Sequence, residues 1–297
     1  MPHIPRMDVQ QISDCATWEA LADRVMAPLP QRWIYGETAK RLGREVRRLC
    51  VFNDTTPIAT PIAIAQIVMR TKFGMRTSLL TRGPLFLPEC PQHIQRAALT
   101  SLRRALPFGV HLMTSETRLR RMGLTAAPEV VELDLSQELA SLRAGMHGKW
   151  RNALKKAEGT RLKVAQLQPS AGVLMPLLRA EKNRQAEGRY RGLPPEFMLA
   201  VQDVAPKSLR LFSASDAQML FVIHGTSASY QIGHTGPEGR ALNAHNLILW
   251  EAIRRLKSEG VLRLDLGTLD RDKAPDLARF KLRSGAQTRR LAPAALM

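Results

Sequence analysis

Glu45–Phe52 reads as a strand, and Ile58–Val68 is a second, β-rich run after an Asn53-Asp54 turn signal. Arg76–Thr81 predicts a third strand. From Gln92 to Leu106, Ile94, Ala97, Ala98 and Leu102 recur at helical spacing, and Gly109 then opens a short strand, Val110–Met113. The same order returns further on. Ser208–Ser213 alternates, Gln218–Ile223 follows a Ser215-Asp216 turn, and Ala228–Ile232 reads as a third strand. A helix from Asn243 to Lys257 carries Leu249, Ala252, Ile253 and Leu256 on one stripe, and Gly260 opens the strand Val261–Asp265.

The two runs agree at one point residue by residue. Arg103-Arg104, Gly109 and Val110 lie a constant 151 positions before Arg254-Arg255, Gly260 and Val261, at the same helix-to-strand junction. The expectation is a duplicated α/β unit with mixed sheets. The first domain is expected over residues 1–158 and the second over 159–297, with a basic helix at the junction.

That helix is predicted from Leu139, Leu142, Met146, Trp150, Ala153, Leu154 and Ala157, spaced by three and four, started by Ser136 and weakened at Gly145 and Gly148. Lys149, Arg151, Lys155 and Lys156 fall off the apolar stripe and face solvent. Residues 149–191 hold 11 Lys+Arg against three acidic residues, so they contribute +8 of a formal net charge of +18. A surplus of one sign on this scale favours polyanionic partners, nucleic acid or anionic lipid, over mere solubility.

The 297 residues and 44% hydrophobic content suffice for two cores. Cys15, Cys50 and Cys90 lack the paired spacings of a disulfide framework or a zinc site. The first thirty residues mix charge and proline where a signal peptide needs a continuous apolar stretch, and the most apolar window, Pro57–Val68, is too short to cross a bilayer. A cytoplasmic protein without transmembrane segments is expected, any membrane contact being peripheral.

Several segments together resemble a known family. Trp33-Ile34-Tyr35-Gly36 with Lys40 and Gly43, then Arg82-Gly83-Pro84-Leu85, then Leu133-Asp134-Leu135 leading into Lys149-Trp150-Arg151-Asn152 and Lys155-Lys156-Ala157-Glu158, followed by Asp265-Leu266-Gly267 and Arg279-Phe280-Lys281, are similar to the successive motifs of the FemAB-like aminoacyltransferases. Relatives with this tail include BioF2-like acetyltransferases. The resemblance implies two GNAT-type acyltransferase domains in tandem and transfer of an amino acid from aminoacyl-tRNA to an amine, typically on a peptidoglycan precursor. It also implies substrate-binding positions at Trp33, Tyr35, Lys40, Gly83 and Pro84, with Glu89 the nearest acid after the Gly-Pro motif. Tyr230, in the third predicted strand of the second half, joins this set.

Such a reaction must deprotonate an amine, stabilise a tetrahedral oxyanion and hold the reactants together. The resemblance assigns oxyanion stabilisation to Lys281 and shielding of the site from water to Phe280; otherwise Lys281 is one more surface lysine. Asp265 ends an apolar strand, where a carboxylate either accepts a hydrogen bond from the nucleophile, caps the Gly267 turn or pairs with Arg263. His234 and His245 flank the second helix without a metal spacing, and no Cys-His-Asp or Gly-x-Ser-x-Gly arrangement supports an acyl-enzyme.

Two donors compete. An acyl-CoA needs a loop whose N–H groups cradle a pyrophosphate, and the corresponding run Gly236-Pro237-Glu238-Gly239-Arg240-Ala241 keeps Gly239 and Ala241, with Arg240 between them, but places Pro237 and Glu238 where a donor and neutrality are wanted. With the net charge, this favours aminoacyl-tRNA as co-substrate, without a bound cofactor, and Lys149, Arg151, Lys155 and Lys156 as phosphate contacts. Acetyl-CoA is the alternative donor. A non-catalytic GNAT pair that binds RNA or anionic membrane is the third reading, and it gives Phe280-Lys281 no purpose.

Overall fold

The computed structural model describes residues 7–53, 60–72, 74–120, 122–188 and 192–297. The chain forms two compact units, one running to Pro128 and regaining Arg290–Met297, the other spanning Glu129–Arg289. Each is built on a seven-stranded mixed sheet.

The first unit contains β1 (Met7–Gln11), α1 (Cys15–Asp23), α2 (Trp33–Arg41), β2 (Glu45–Asn53), β3 (Thr60–Lys72), β4 (Met75–Leu80), β5 (Leu85–Phe86), α3 (Gln95–Arg104) and β6 (Val110–Met113). Its sheet runs β1-β2-β3-β4-β6 and ends on a strand from the far end of the chain, Ala295–Leu296, while β5 pairs with β3. Alternation sorts β2 and β3 between two cores. Leu49, Val51, Ala65 and Ile67 meet Ala98, Leu99 and Leu102 of α3. Cys50 and Ile64 point to the opposite face, under Trp18 and Ala22 of α1. Ile58 and Ala59, and Asp54 of the expected turn, lie outside the described residues.

The second unit contains β7 (Glu129–Asp134), α4 (Leu139–Gly145), α5 (Gly148–Glu158), β8 (Ala165–Leu167), α6 (Ala171–Gly188), α7 (Pro195–Val204), β9 (Leu209–Ala214), β10 (Ala217–His224), β11 (Ser227–Thr235), α8 (Pro237–Ala241), α9 (Ala244–Ser258), β12 (Arg263–Thr268), α10 (Pro275–Arg283) and β13 (Gln287–Arg290); the strand Ala295–Leu296 is β14. Its sheet order is β13-β7-β12-β11-β10-β9-β8. The duplication is visible in the ladders. Antiparallel β2-β3-β4 is followed by α3 and by β6 parallel to β4. Antiparallel β9-β10-β11 is followed by α9 and by β12 parallel to β11.

Three expectations are corrected. The boundary falls after Pro128 rather than at 158/159, because β7 pairs antiparallel with β12 and the buried side of α5 (Trp150, Leu154, Ala157) belongs to the second core. The single junction helix is two helices, since Met146 and His147 adopt extended backbone between them, and the His147 side chain caps α5 by accepting from the Lys149 N–H at 3.2 Å. Ser136 starts neither; its hydroxyl donates to Asp134 at 2.6 Å, and Glu138 occupies the N-cap of α4. Among the described residues, no helix is long and apolar enough to cross a membrane.

Candidate active site

The parallel ladder between β11 and β12 is short. It pairs Ser227, Ala228 and Ser229 with Arg263, Leu264 and Asp265 and then stops. Beyond it each strand is irregular: β11 carries a bulge at Gln231, between the partners Tyr230↔Phe221 and Ile232↔Leu220. In β12 the register with β7 breaks between Asp265 and Thr268. Irregularities of this kind re-aim side chains and end pairing, and here they leave a gap between parting strands.

Lys281 of α10 reaches into this gap. Its Nζ donates to the Thr268 carbonyl at 3.1 Å and lies 5.6 Å from the centroid of the Tyr230 ring. Only 6% of Lys281 is exposed. Burial pushes its ammonium down to about 8, against the opposing pull of the Asp265 carboxylate. Asp265 performs the turn-capping role, its Oδ1 accepting from the Gly267 N–H at 2.7 Å. Gly267 takes φ +81°, a conformation that suits glycine, and this turn carries Thr268 to Lys281.

Phe280 packs beside the same gap, 5.8 Å from the Trp150 ring and 6.1 Å from that of His245. His245 is occupied, its Nε2 donating to the His234 carbonyl at 2.8 Å, and burial holds it below the ordinary histidine range. His234 itself is exposed. Tyr230, Asp265 and the Phe280-Lys281 pair, from three separate segments of the chain, thus lie close together. The arrangement offers a buried cation with N–H groups beyond the one Thr268 uses, framed by aromatic rings, which is the equipment for holding a developing negative charge away from water.

The loop at α8 is different. Asp216 accepts hydrogen bonds from the backbone N–H of Gly239 at 2.6 Å and of Glu238 at 3.2 Å, so a carboxylate of the protein already occupies that helix start. Arg240 and Ala241 are exposed. On α5, Lys149, Arg151, Lys155 and Lys156 all face solvent, opposite the buried stripe. Glu158, the acid nearest to them in sequence, is held by both terminal nitrogens of Arg143 at 2.7 and 2.5 Å.

Of the first-unit candidates, Trp33 and Gly83 border one buried network around Gln31 and Gln66, while Lys40 and Glu89 lie at the surface. Arg48 is buried, stacks 3.5 Å from the Trp33 ring centroid, and donates to Gln66 at 2.7 Å and to the Trp33 carbonyl at 3.0 Å. Gln66 in turn donates to the carbonyls of Pro30 and Arg32. A Cβ at position 36 would overlap both the Arg48 guanidinium and the Gln66 amide, so glycine is required there. The Trp33–Gly36 motif is therefore the seat of a buried polar network that fixes α2 to the sheet. Tyr35 is half-buried, and burial raises its phenol; Lys40 pairs with Glu37 at 2.9 Å. Gly83 and Pro84 lie buried in the turn before β5, and Glu89 forms a surface ion pair with Arg24. Sequence reasoning missed Arg48, Gln66 and Asp216. The signal for the first pair was a charge and an amide on two strands otherwise apolar at their centres.

Residues 140–281 match the family of the acetyltransferase (GNAT) domain. That match lies within the second unit. Among solved structures, the chain is similar to FemX, with 12% identity over 97% of this chain and 96% of that one and a TM-score of 0.75. It is also similar to a tandem GNAT protein from the clavulanic acid biosynthesis pathway, with 11% identity, 98% of each chain covered and a TM-score of 0.56. At these identities the likeness is one of fold, and the fold is that of two GNAT domains in tandem. No curated protein matches the chain. The family match over residues 140–281 supports an acyltransferase, and these neighbours add the fold.

Proposed function

We propose that the protein moves an aminoacyl group from aminoacyl-tRNA to an amine, in the manner of the FemAB-like enzymes. The acceptor nitrogen forms a bond to the ester carbonyl carbon and loses a proton. The carbonyl collapses from its tetrahedral form, the bond to the ribose oxygen breaks, and that oxygen takes up a proton. Lys281 stabilises the oxyanion in between, Phe280 excludes water from it, and Asp265 holds the turn that positions Lys281. Tyr230 lines the acyl end of the gap.

The observation that carries the choice of donor is Asp216. A pyrophosphate entering at α8 would have to displace a carboxylate from the N–H groups of Glu238 and Gly239 and bear its repulsion, so the acyl-CoA route is disfavoured at this loop. A tRNA backbone instead rewards separated cations such as Lys149, Arg151, Lys155 and Lys156. The acceptor is an amine of the peptidoglycan-precursor class, as the FemX-like fold suggests, and the reaction takes place in the cytoplasm, where charged tRNA is found. The test is donor binding measured side by side. Retention of aminoacyl-tRNA with steep salt dependence supports the reading; retention of acetyl-CoA without tRNA binding replaces it with an acyl-CoA N-acyltransferase.

A further inference from the structure

The first unit's sheet is covered unevenly. On the face that holds Cys50 and Ile64, α1 and α2 cover β2 and the early part of β3. The far end of that face is bare. Leu79 of β4 is the ladder partner of Leu112 of β6, which is in turn the partner of Leu296 of β14, so these three side chains form one row, and all are exposed. Val110, two residues before Leu112, continues the row toward the rim. There the register Thr77↔Val110, carried back two residues, sets Met75 level with Phe108, and position 109 lies against the Arg76 carbonyl. Phe108 is 96% exposed and Met75 57% exposed.

An exposed apolar patch of this extent marks a binding surface, and its charge identifies the partner. From Arg70 to Arg104 the chain has seven Lys+Arg and one acid, Glu89, which Arg24 engages; of the seven, Arg82 is buried and paired with Glu116. Arg76 follows Met75 directly, and Arg103 and Arg104 end α3 just before Phe108. A second copy of the chain would bring two such rims together and be repelled. A nucleic acid needs cations at the centre of its footprint, whereas the centre here is aliphatic. Apolar side chains on one side of a rim, with Arg76, Arg103 and Arg104 on the α3 side of the same sheet end, match the boundary of an anionic bilayer, where rings enter the acyl region and guanidinium groups meet lipid phosphates.

We propose that this end of the first unit, led by Phe108, docks on an anionic lipid surface. The inference is independent of which acyl donor the second unit uses.

Vesicle co-sedimentation of the full chain tests it, with phosphatidylcholine alone compared with phosphatidylcholine plus phosphatidylglycerol. The expected result is binding to the anionic vesicles only, lowered about tenfold by Phe108→Ser and about fivefold by each of Arg103→Ala and Arg104→Ala. Phe108 is so exposed that its replacement leaves the fold intact, which an unchanged thermal melt verifies. Failure of the wild type to bind anionic vesicles, or equal binding by wild type and Phe108→Ser, overturns the proposal. So does a Phe108-dependent dimer in light scattering, or loss of tRNA binding rather than vesicle binding in Phe108→Ser.

Discussion

The Oδ1 of Asp216 accepts the Gly239 N–H at 2.6 Å, across the turn that joins β11 to α8. A side chain from the turn of the β9–β10 hairpin thus fills the position that an anionic ligand would take at this helix start. Replacing it by Ala frees two N–H groups and removes a negative charge. Asp216→Ala is predicted to gain measurable affinity for coenzyme A while leaving tRNA binding unchanged, and to lose about 1 kcal/mol of stability with the cap. Calorimetric titration with coenzyme A checks the first part, and no gain over wild type would show that Asp216 does not decide donor choice.

Lys281→Ala is expected to lower the transfer rate by roughly 10²–10³ with donor affinity retained, because a cation at the acyl centre interacts more strongly with the oxyanion than with the ground-state carbonyl. Lys281→Arg should recover only part of this, since a planar guanidinium does not fit the surroundings of a compact ammonium. Single-turnover rates separate these outcomes from a binding defect.

The same lysine predicts a pH dependence. Its value of about 8 in the folded protein lies below the ordinary 10.5, so the cation required for catalysis is lost as pH rises through about 8, and the rate should fall there. Stability moves the other way. Between about 8 and 10.5 the unfolded chain binds the extra proton, so folding grows more favourable as pH rises across that window; below it the full burial penalty is present. A difference of this size corresponds to about 3 kcal/mol. Lys281→Met is therefore predicted to be more stable than wild type at pH 7, by an amount that shrinks toward pH 10.5, and inactive throughout. Denaturant titrations at the two ends of the range measure it.

Replacing Lys149, Arg151, Lys155 and Lys156 together by Ala should flatten the dependence of log Kd for tRNA on log salt by about one for each phosphate that is no longer neutralised. An unchanged slope would move the RNA footprint elsewhere.

Gly36→Ala is predicted to destabilise the first unit by about 2 kcal/mol or more, because the added methyl must displace Arg48 or Gln66 from a buried network in which each satisfies the other. Chemical denaturation should show the loss, and an Arg48→Met variant should tolerate the alanine better than the wild type does.

The order of strands and helices was legible because each core face imposes its own period, and the junction at Gly109 and Gly260 repeats because the same helix-to-strand turn is made twice. Extents were harder. Lys281, Phe280 and Asp265 were found through a motif, since nothing in local spacing says that α10 folds back on β12. The part that the Trp33–Gly36 motif plays beside Arg48 and Gln66 is not legible in the sequence, because the pairing of those two side chains depends on the β2–β3 register. Ser136 has the composition of an N-cap, but Asp134 two residues earlier competes for its hydroxyl. The division after Pro128 was missed because β7, the first strand of the second unit, has its partner β12 more than a hundred residues downstream.

β14 gives the two units different histories during synthesis. The second unit is one continuous stretch of chain and has all its strands once Arg290 has been made. The first must wait: β6 keeps an open edge, with backbone groups at Leu112 and Met113 unpaired, until residues 295 and 296 arrive after the whole of the second unit. The unit translated first is thus the last to be completed.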